Sequence, residues 1–205
     1  MKLYQNPRSS NARKVVMTAQ ILGVPLELQT IDLAKGEQMK PEFLAINPMH
    51  AVPVLVDGDF ALPESHAIMI HLCERTPGQE LLPTEARARA TVLRWMFWCS
   101  NHFSPPIGGL MFERVLKGLR GGGGADEAQV ARHERALRPL AELLDAELAR
   151  RAYVAGDSLT LADLAIAAPL MYAAPAQLPL DGLPHLAAWR ERVEALPAWQ
   201  ETSGQ

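Results

Sequence analysis

The 205-residue chain carries 20 Lys and Arg against 23 Asp and Glu, a formal net charge of -3, and so has no surplus of positive charge to neutralise a nucleic-acid backbone. With 48% hydrophobic and 21% charged residues it has the composition of a packed globular chain rather than a disordered one, and its length admits one large domain or two compact ones. Its longest weakly polar stretch, Leu159 to Leu180, is interrupted by Asp163, Pro169, Pro175 and Pro179, so it falls short of the ~20 clean apolar residues of a membrane span.

The opening MKLYQNPRSS turns polar directly after Leu3 and Tyr4 and lacks the apolar run of roughly 7–15 residues that a secretory signal needs. Lys2 to Tyr4 begins a short strand. Asn11 to Leu22 then places Val15, Val16, Ala19 and Leu22 at helical spacing, with a stop at Gly23 and Pro25. Leu26 to Ile31 alternates as a strand, and Pro41 to Ile46 allows a short helix. Val54 to Val56 and Phe60 to Leu62 flank Asp57-Gly58, a two-residue hairpin signal, and Ser65 to Arg75 closes this half as a helix. The repeated change of period predicts an α/β domain over about residues 1–76. The polar stretch around Pro77, Gly78 and Pro83 reads as a linker over about 77–84.

The remainder, about 85–205, reads as an all-α helical bundle. Ala86 to Phe103 is apolar-rich, with Trp95, Phe97, Trp98 and Phe103, and Pro105-Pro106 should kink or end it. Gly121 to Gly124 is not followed by Lys-Ser/Thr, so it is a flexible connection and no phosphate loop. Leu137, Leu140, Leu144 and Leu148 set an apolar stripe on a helix from about Asp126 to Arg151, in which Pro139 requires either a kink or a restart. Cys73 and Cys99 both sit in helical patterns, too few for a disulfide framework, and a cytoplasmic location is expected. His66 and His71 diverge on a helix and no cluster has metal-ligand spacing, so no metal is expected.

Three local patterns stand out. Met49-His50-Ala51-Val52-Pro53-Val54 places a proline at a strand entry, where a missing N–H is tolerated. Pro63-Glu64-Ser65 precedes an apolar helix whose unpaired N-terminal N–H groups form a natural seat for a carboxylate; Ser65 reads first as its N-cap and Glu64 as a helix-start acid. Thr160 and Asp163 stand at capping-box spacing before another apolar run, a structural device whose loss should cost about 0.5–2 kcal/mol.

Together these stretches resemble the cytosolic glutathione S-transferases, and the match runs through most of the chain. The run GVPLELQTIDLAKGEQMKPEFLAINPMHAVPVLVDGDFALPESHAIMIHL looks like the thioredoxin-like N-terminal domain of serine-type theta and phi class enzymes and their bacterial relatives. AGDSLTLADLA looks like the capping box of their all-helical second domain.

The resemblance implies specific roles. Glutathione, as co-substrate, would place its γ-glutamyl end at the third helix, with Glu64 facing the α-amino group and Ser65 the α-carboxylate. The backbone of Val52 would pair with the cysteinyl unit like an added strand, with Pro53 in cis. Gln38 and Lys40 follow the second strand, where relatives contact the glycyl carboxylate. Many relatives have Gly then Lys or Gln before the Val-Pro pair; here His50 and Ala51 stand there, with His50 a candidate partial cation. Ser9, four before Arg13, would donate a hydrogen bond to the glutathione sulfur. Lowering a thiol pKa of ~8.5 by ~2 units requires about 2.7 kcal/mol of preferential thiolate stabilisation, within reach of such a bond plus a helix N-terminus.

Ser9 and Ser10 also read as caps of the first helix. Ser10 falls where beta class enzymes carry a cysteine, which argues against a mixed disulfide through the protein's own thiol. Asn11 coincides with the asparagine of nu class relatives, leaving open a glutathione-dependent disulfide or peroxide reductase. A glutathione- or ligand-binding protein without catalysis is the other alternative. The second substrate, a small hydrophobic electrophile, is expected to meet Asn6, Pro7 and Arg8 and, from the helical domain, His102, Phe103 and Phe112. Trp95, Trp98 and His102, at i, i+3 and i+7, would share a face. Family resemblance further implies a homodimer, while the charge balance and the interrupted apolar stretch lead to no expectation of nucleic-acid or membrane partners.

Overall fold

Leu3 and Tyr4 are consecutive in a strand and so face opposite sides of it, and each side gathers its own helices. The computed structural model describes residues 1–202. They divide into two compact units, one formed by Met1–Leu82 with the described residues from Ala195 on, the other by Pro83–Glu194. In the first unit β1 (Lys2–Gln5) runs parallel to β2 (Glu27–Thr30) and antiparallel to β3 (Val54–Asp57), and β3 is antiparallel to β4 (Phe60–Pro63), giving the order β2-β1-β3-β4. Tyr4, Val54 and Val56 cluster with Ile31 and with Phe43 of α2 (Pro41–Leu44) on one face. Leu3 and Leu55 alternate to the other face and are fully buried there, the side left to α1 (Ser10–Leu22) and α3 (Ser65–Glu74), which pack on each other. Their contribution to that layer is Ala12, Val15, Met17, Ile68, Met69 and Leu72, all without exposed surface.

The sequence signals hold here with small shifts. α1 ends at Gly23, whose φ of 67° is the left-handed conformation glycine adopts without strain. The hairpin turn sits one residue later than its signal: Asp57 pairs with Phe60, so the connecting residues are Gly58 and Asp59. Gly58 has φ 63° and Asp59 is not among the positive-φ residues, the pattern of a type II′ connection with glycine leading. The stretch read as a linker is packed. Leu81 and Leu82 are buried, and the Gln79 side chain donates to Leu82 O at 2.8 Å and accepts from Leu82 N at 2.9 Å.

The second unit opens with an unbroken helical run: α4 (Ala86–Trp98), a π-helical turn at Cys99–Phe103, α5 (Ser104–Met111), a second π turn at Phe112–Leu116, and α6 (Lys117–Leu119). The first π turn supplies the interruption that Pro105-Pro106 require, so both prolines fall in the first turn of α5. After the glycine loop, α7 (Glu127–Leu148) starts on Asp126, whose side chain accepts from Ala128 N and Gln129 N. Pro139 lies inside this single helix rather than restarting it, and it is exposed, where water can satisfy the carbonyl its missing N–H leaves behind. α8 (Leu161–Ala167) and α9 (Pro184–Glu194) complete the unit.

α8 is held at its start by Asp163. Its carboxylate accepts from Thr160 N and Thr160 Oγ1, both at 2.9 Å, closing the capping box, and also from Val154 N at 2.8 Å and Trp189 Nε1 at 2.9 Å. Burial pushes the Asp163 pKa up while these donors pull it back. The box therefore does more than cap: it pins the preceding loop and α9 to α8. The last described helix, α10 (Pro197–Glu201), belongs to the first unit, packed on α1, whereas the sequence placed it in the helical domain.

Candidate functional site

Strand register brings the expected ligand-facing segments to one end of the sheet. Tyr4 pairs with Val54 and Val54 with Pro63, so the exit of β1, the entry of β3 and the exit of β4 are neighbours. Gln5 pairs with Thr30, placing the exit of β2 there too.

At the exit of β1, Asn6 builds the loop: its Nδ2 donates to Ile31 O at 2.9 Å and its Oδ1 accepts from Arg8 N at 3.0 Å. Both groups are thereby committed to holding the loop, and Ser9 N bonds Asn6 O at 2.9 Å. Ser9 is the N-cap of α1, its Oγ accepting from Ala12 N at 3.3 Å. That bond uses a lone pair of the hydroxyl and not its proton, so the cap and a hydrogen bond donated to a ligand are compatible. Ser10 and Asn11 are the first and second residues of α1; Asn11 and Arg8 are exposed and Pro7 is half-buried.

The loop before β3 is organised by a residue the sequence did not single out. Asn47, buried, donates from Nδ2 to Ala51 O at 2.8 Å, accepts from Met49 N at 3.1 Å, and offers its carbonyl to His50 N at 3.0 Å. His50 is exposed with φ 44°, a left-handed backbone that costs a non-glycine residue energy. The Val52–Pro53 peptide is cis. Among the described residues Val52, two residues before β3, makes no backbone–backbone hydrogen bond.

The start of α3 departs from the expected cap. Glu64, not Ser65, occupies the N-cap position, with φ 71° and ψ 107°, and its side chain does not turn back onto the helix. Ser65 becomes the first helical residue and is buried. α1, α4, α7 and α8 each satisfy their first N–H groups with a side chain of their own, Ser9, Glu85, Asp126 and Thr160; α3 does not. Its first N–H groups remain as donors, carrying the positive end of the helix dipole.

One partly buried contact ties the two helix starts together. Lys14 of α1, 3% exposed, donates from Nζ to His66 Nε2 of α3 at 2.9 Å. Burial, then the Lys14 charge, pushes the His66 pKa down to about 3, so the imidazole is the neutral acceptor in this pair with its proton on Nδ1.

The remaining expected residues divide. Gln38 lies in a 3₁₀ turn, Glu37–Met39; its Nε2 reaches Leu33 O only at 3.5 Å and its Oε1 is buried with no partner among the described residues. Lys40 is exposed and paired to Glu37 at 2.9 Å, and it lines a cavity of about 230 Å³ with Tyr4, Phe43 and Glu42, a cavity to which Gln38 does not contribute. In the second unit Phe103 has no exposed surface and stacks on Trp98 at 5.2 Å, so it is interior packing and not a pocket wall. His102 and Phe112 are exposed. The π turn at Cys99–Phe103 breaks the i, i+3, i+7 face: Trp95 is buried while His102 is not. Thr160 and Asp163 are buried in the second unit as a structural clamp. Among the described residues no group of three His, Cys, Asp or Glu could hold a metal ion, and no helix is long and apolar enough to cross a membrane.

Comparison with known proteins identifies the family. Residues 3–80 match the glutathione S-transferase N-terminal domain family and residues 94–197 the glutathione S-transferase C-terminal domain family. The chain is 38% identical to glutathione S-transferase 3 of Zea mays, covering 98% of this chain and 92% of that protein. It is also 38% identical to human glutathione S-transferase theta-2B, over 95% of this chain and 81% of the relative. Among solved structures, glutathione transferase F7 from Populus trichocarpa superposes with a TM-score of 0.90 at 29% identity, covering 98% of this chain and 97% of that one. A glutathione S-transferase-I bound with lactoylglutathione superposes with a TM-score of 0.88 at 28% identity, covering 98% and 97% of the two chains.

Proposed function

The chain belongs to the glutathione S-transferase family, and on that footing we propose that its first unit binds glutathione at the open end of the sheet, ionises the thiol, and directs the sulfur at a small apolar electrophile. The observation that carries the reading is the contrast between two neighbouring helix starts. α1 is capped by Ser9 with its hydroxyl proton still available, while the N-cap residue of α3, Glu64, does not turn its side chain back onto the first N–H groups of that helix.

In this reading the γ-glutamyl carboxylate takes the acceptor position that α3 lacks, receiving hydrogen bonds from the first N–H groups of α3 and from the Ser65 hydroxyl. Glu64, turned away from its own helix, meets the α-amino group. The free N–H and C=O of Val52 pair with the cysteinyl unit as an added strand, with Pro53 setting the entry to β3. The Gln38 amide nitrogen, held only weakly by Leu33 O at 3.5 Å, and His50 serve the glycyl end; Lys40, already bound to Glu37, contributes charge at most. The sulfur then lies at the first turn of α1, where Ser9 keeps its proton and donates a hydrogen bond to the thiolate, and the helix dipole adds to the stabilisation. The thiol proton leaves to water, and the thiolate attacks the electrophilic carbon and displaces its leaving group, a halide in the aryl halide test below. Asn6 fixes the loop, while Pro7 and Arg8 are the first unit's candidate contacts for the second substrate. A homodimer located in the cytoplasm is part of the same proposal, supported by family membership.

The test is conjugation of glutathione to an activated aryl halide, wild type against Ser9→Ala. Removing the donor should lower kcat/KM at neutral pH by about 10- to 100-fold, the rate equivalent of the ~2-unit pKa shift it helps supply. Undiminished conjugation by Ser9→Ala would remove Ser9 from the chemistry, and disulfide reduction that survives this change but not Asn11→Ala would favour the reductase.

A further inference from the structure

We infer that the C-terminal residues returning to the first unit form a strap that positions the first turn of α1, with Arg13, Trp199 and Thr202 as positioning residues for Ser9. The inference rests on the role proposed for Ser9, though the ordering of that turn can be measured without it.

Arg13 belongs to both structures at once. Its backbone N–H bonds Ser9 O at 2.9 Å, the bond that closes the turn Ser9 caps. Its side chain, only 6% exposed, runs to the strap: Nε donates to Thr202 Oγ1 at 3.1 Å and Nη2 to Trp199 O at 2.8 Å. The guanidinium lies 3.8 Å from the centre of the Trp199 ring, a cation–π contact in a largely dry setting where such contacts are strongest. Thr202 is itself fixed, its hydroxyl within 2.8 Å of Ala198 O and 3.0 Å of Trp199 O. Trp199 and Thr202 are both buried.

The next residue, Lys14, holds α1 to α3 through His66. The turn is therefore fixed in two directions by consecutive side chains, one toward the helix that would seat the γ-glutamyl carboxylate and one toward the strap. Removing the Trp199 ring leaves a buried guanidinium facing a cavity, and the relief open to it is a rotation of the turn that carries it. Such a rotation moves the Ser9 hydroxyl while leaving Val52 and the start of α3 in place, so it should act on the thiol and not on glutathione affinity.

The experiment compares wild type with Trp199→Leu, Trp199→Phe and Thr202→Val in the full-length protein. In Trp199→Leu, amide exchange at Ala12 and Arg13 should accelerate about tenfold or more. The midpoint of thiolate formation should rise by about 0.5–1 unit, and kcat at neutral pH should fall about five- to tenfold with KM for glutathione within about twofold. Trp199→Phe, which keeps a ring beneath the guanidinium, should stay close to wild type in each measurement. Thr202→Val, a smaller change should Trp199→Leu not fold, should show the same pattern weakly. Unchanged exchange at Ala12 and Arg13 alongside a lower melting temperature would overturn the strap, leaving only a packing role. Accelerated exchange in a protein whose wild type never lowers the thiol pKa would uphold the strap and defeat the catalytic reading of Ser9 instead.

Discussion

Ser9 shows how one small side chain can cap a helix and keep a donor for a ligand, because a hydroxyl accepts and donates through different atoms. Ser65 was read as a cap and is not one; that change of position leaves its hydroxyl and the N–H groups behind it available to a carboxylate. Ser65→Ala should accordingly raise KM for glutathione about tenfold with little change in the pH dependence of kcat, which initial-rate kinetics across pH would show. His66 supplies a stability prediction with a definite sign. Its folded pKa of about 3 lies below its ordinary 6.5, so between those values the unfolded chain binds the extra proton. The stabilisation is complete above about pH 6.5 and is lost as pH falls, at up to about 1.4 kcal/mol per pH unit. Urea denaturation from neutral pH down to about pH 4.5 should show this slope in wild type and a shallower one in His66→Gln; equal slopes would mean that His66 is not held neutral. Ser9, Val52, Glu64 and Ser65 entered as candidates through the family resemblance, with Ser9, Glu64 and Ser65 also readable as helix-start residues. Asn47 and Arg13 were not, since an asparagine in a loop and an arginine in a helix carry no signal of the backbone atoms they bind.

The strands and helices of the first unit were readable from period changes and from Gly23, Gly58 and the prolines, since each such signal is spent within a few residues of where it occurs. What the sequence concealed were features one residue wide. A hairpin turn moved by one position keeps both apolar strands, and a π turn differs from an α turn by a single residue, so apolar spacing continues through Cys99–Phe103 while the face rotates and Phe103 passes into the core. At the α8 start the pattern showed the box, Thr160 and Asp163, but not Val154 and Trp189, which share the same carboxylate. Asp163→Asn keeps the shape yet turns an NH₂ toward groups that donate. The cost should be about 3 kcal/mol, a drop of roughly 10 °C in melting temperature, against about 1 kcal/mol for Thr160→Ala. Calorimetry on the two variants checks the ranking, and an equal loss in both would confine Asp163 to the cap.

At the level of the molecule, the two-part organisation was visible in composition and periodicity, but the return of the chain to its first unit was not. Arg13 and Thr202 are 189 residues apart, and no local pattern encodes a contact of that range. A chain ending at Glu194 should leave the Arg13 guanidinium without the acceptors and ring it has in the intact protein. The first unit should then lose about 2–4 kcal/mol of stability, read by chemical denaturation, with an unchanged transition speaking against any role for the segment in holding α1. The proposed function turns on one property, the ionisation of a bound thiol at the first turn of α1. The most direct test is ultraviolet titration of glutathione thiolate in the presence of saturating wild-type protein from about pH 5 to pH 9. The account predicts a midpoint about 2 units below the free value of ~8.5, most of it lost in Ser9→Ala; a midpoint that tracks free glutathione while calorimetry shows the ligand bound would contradict it.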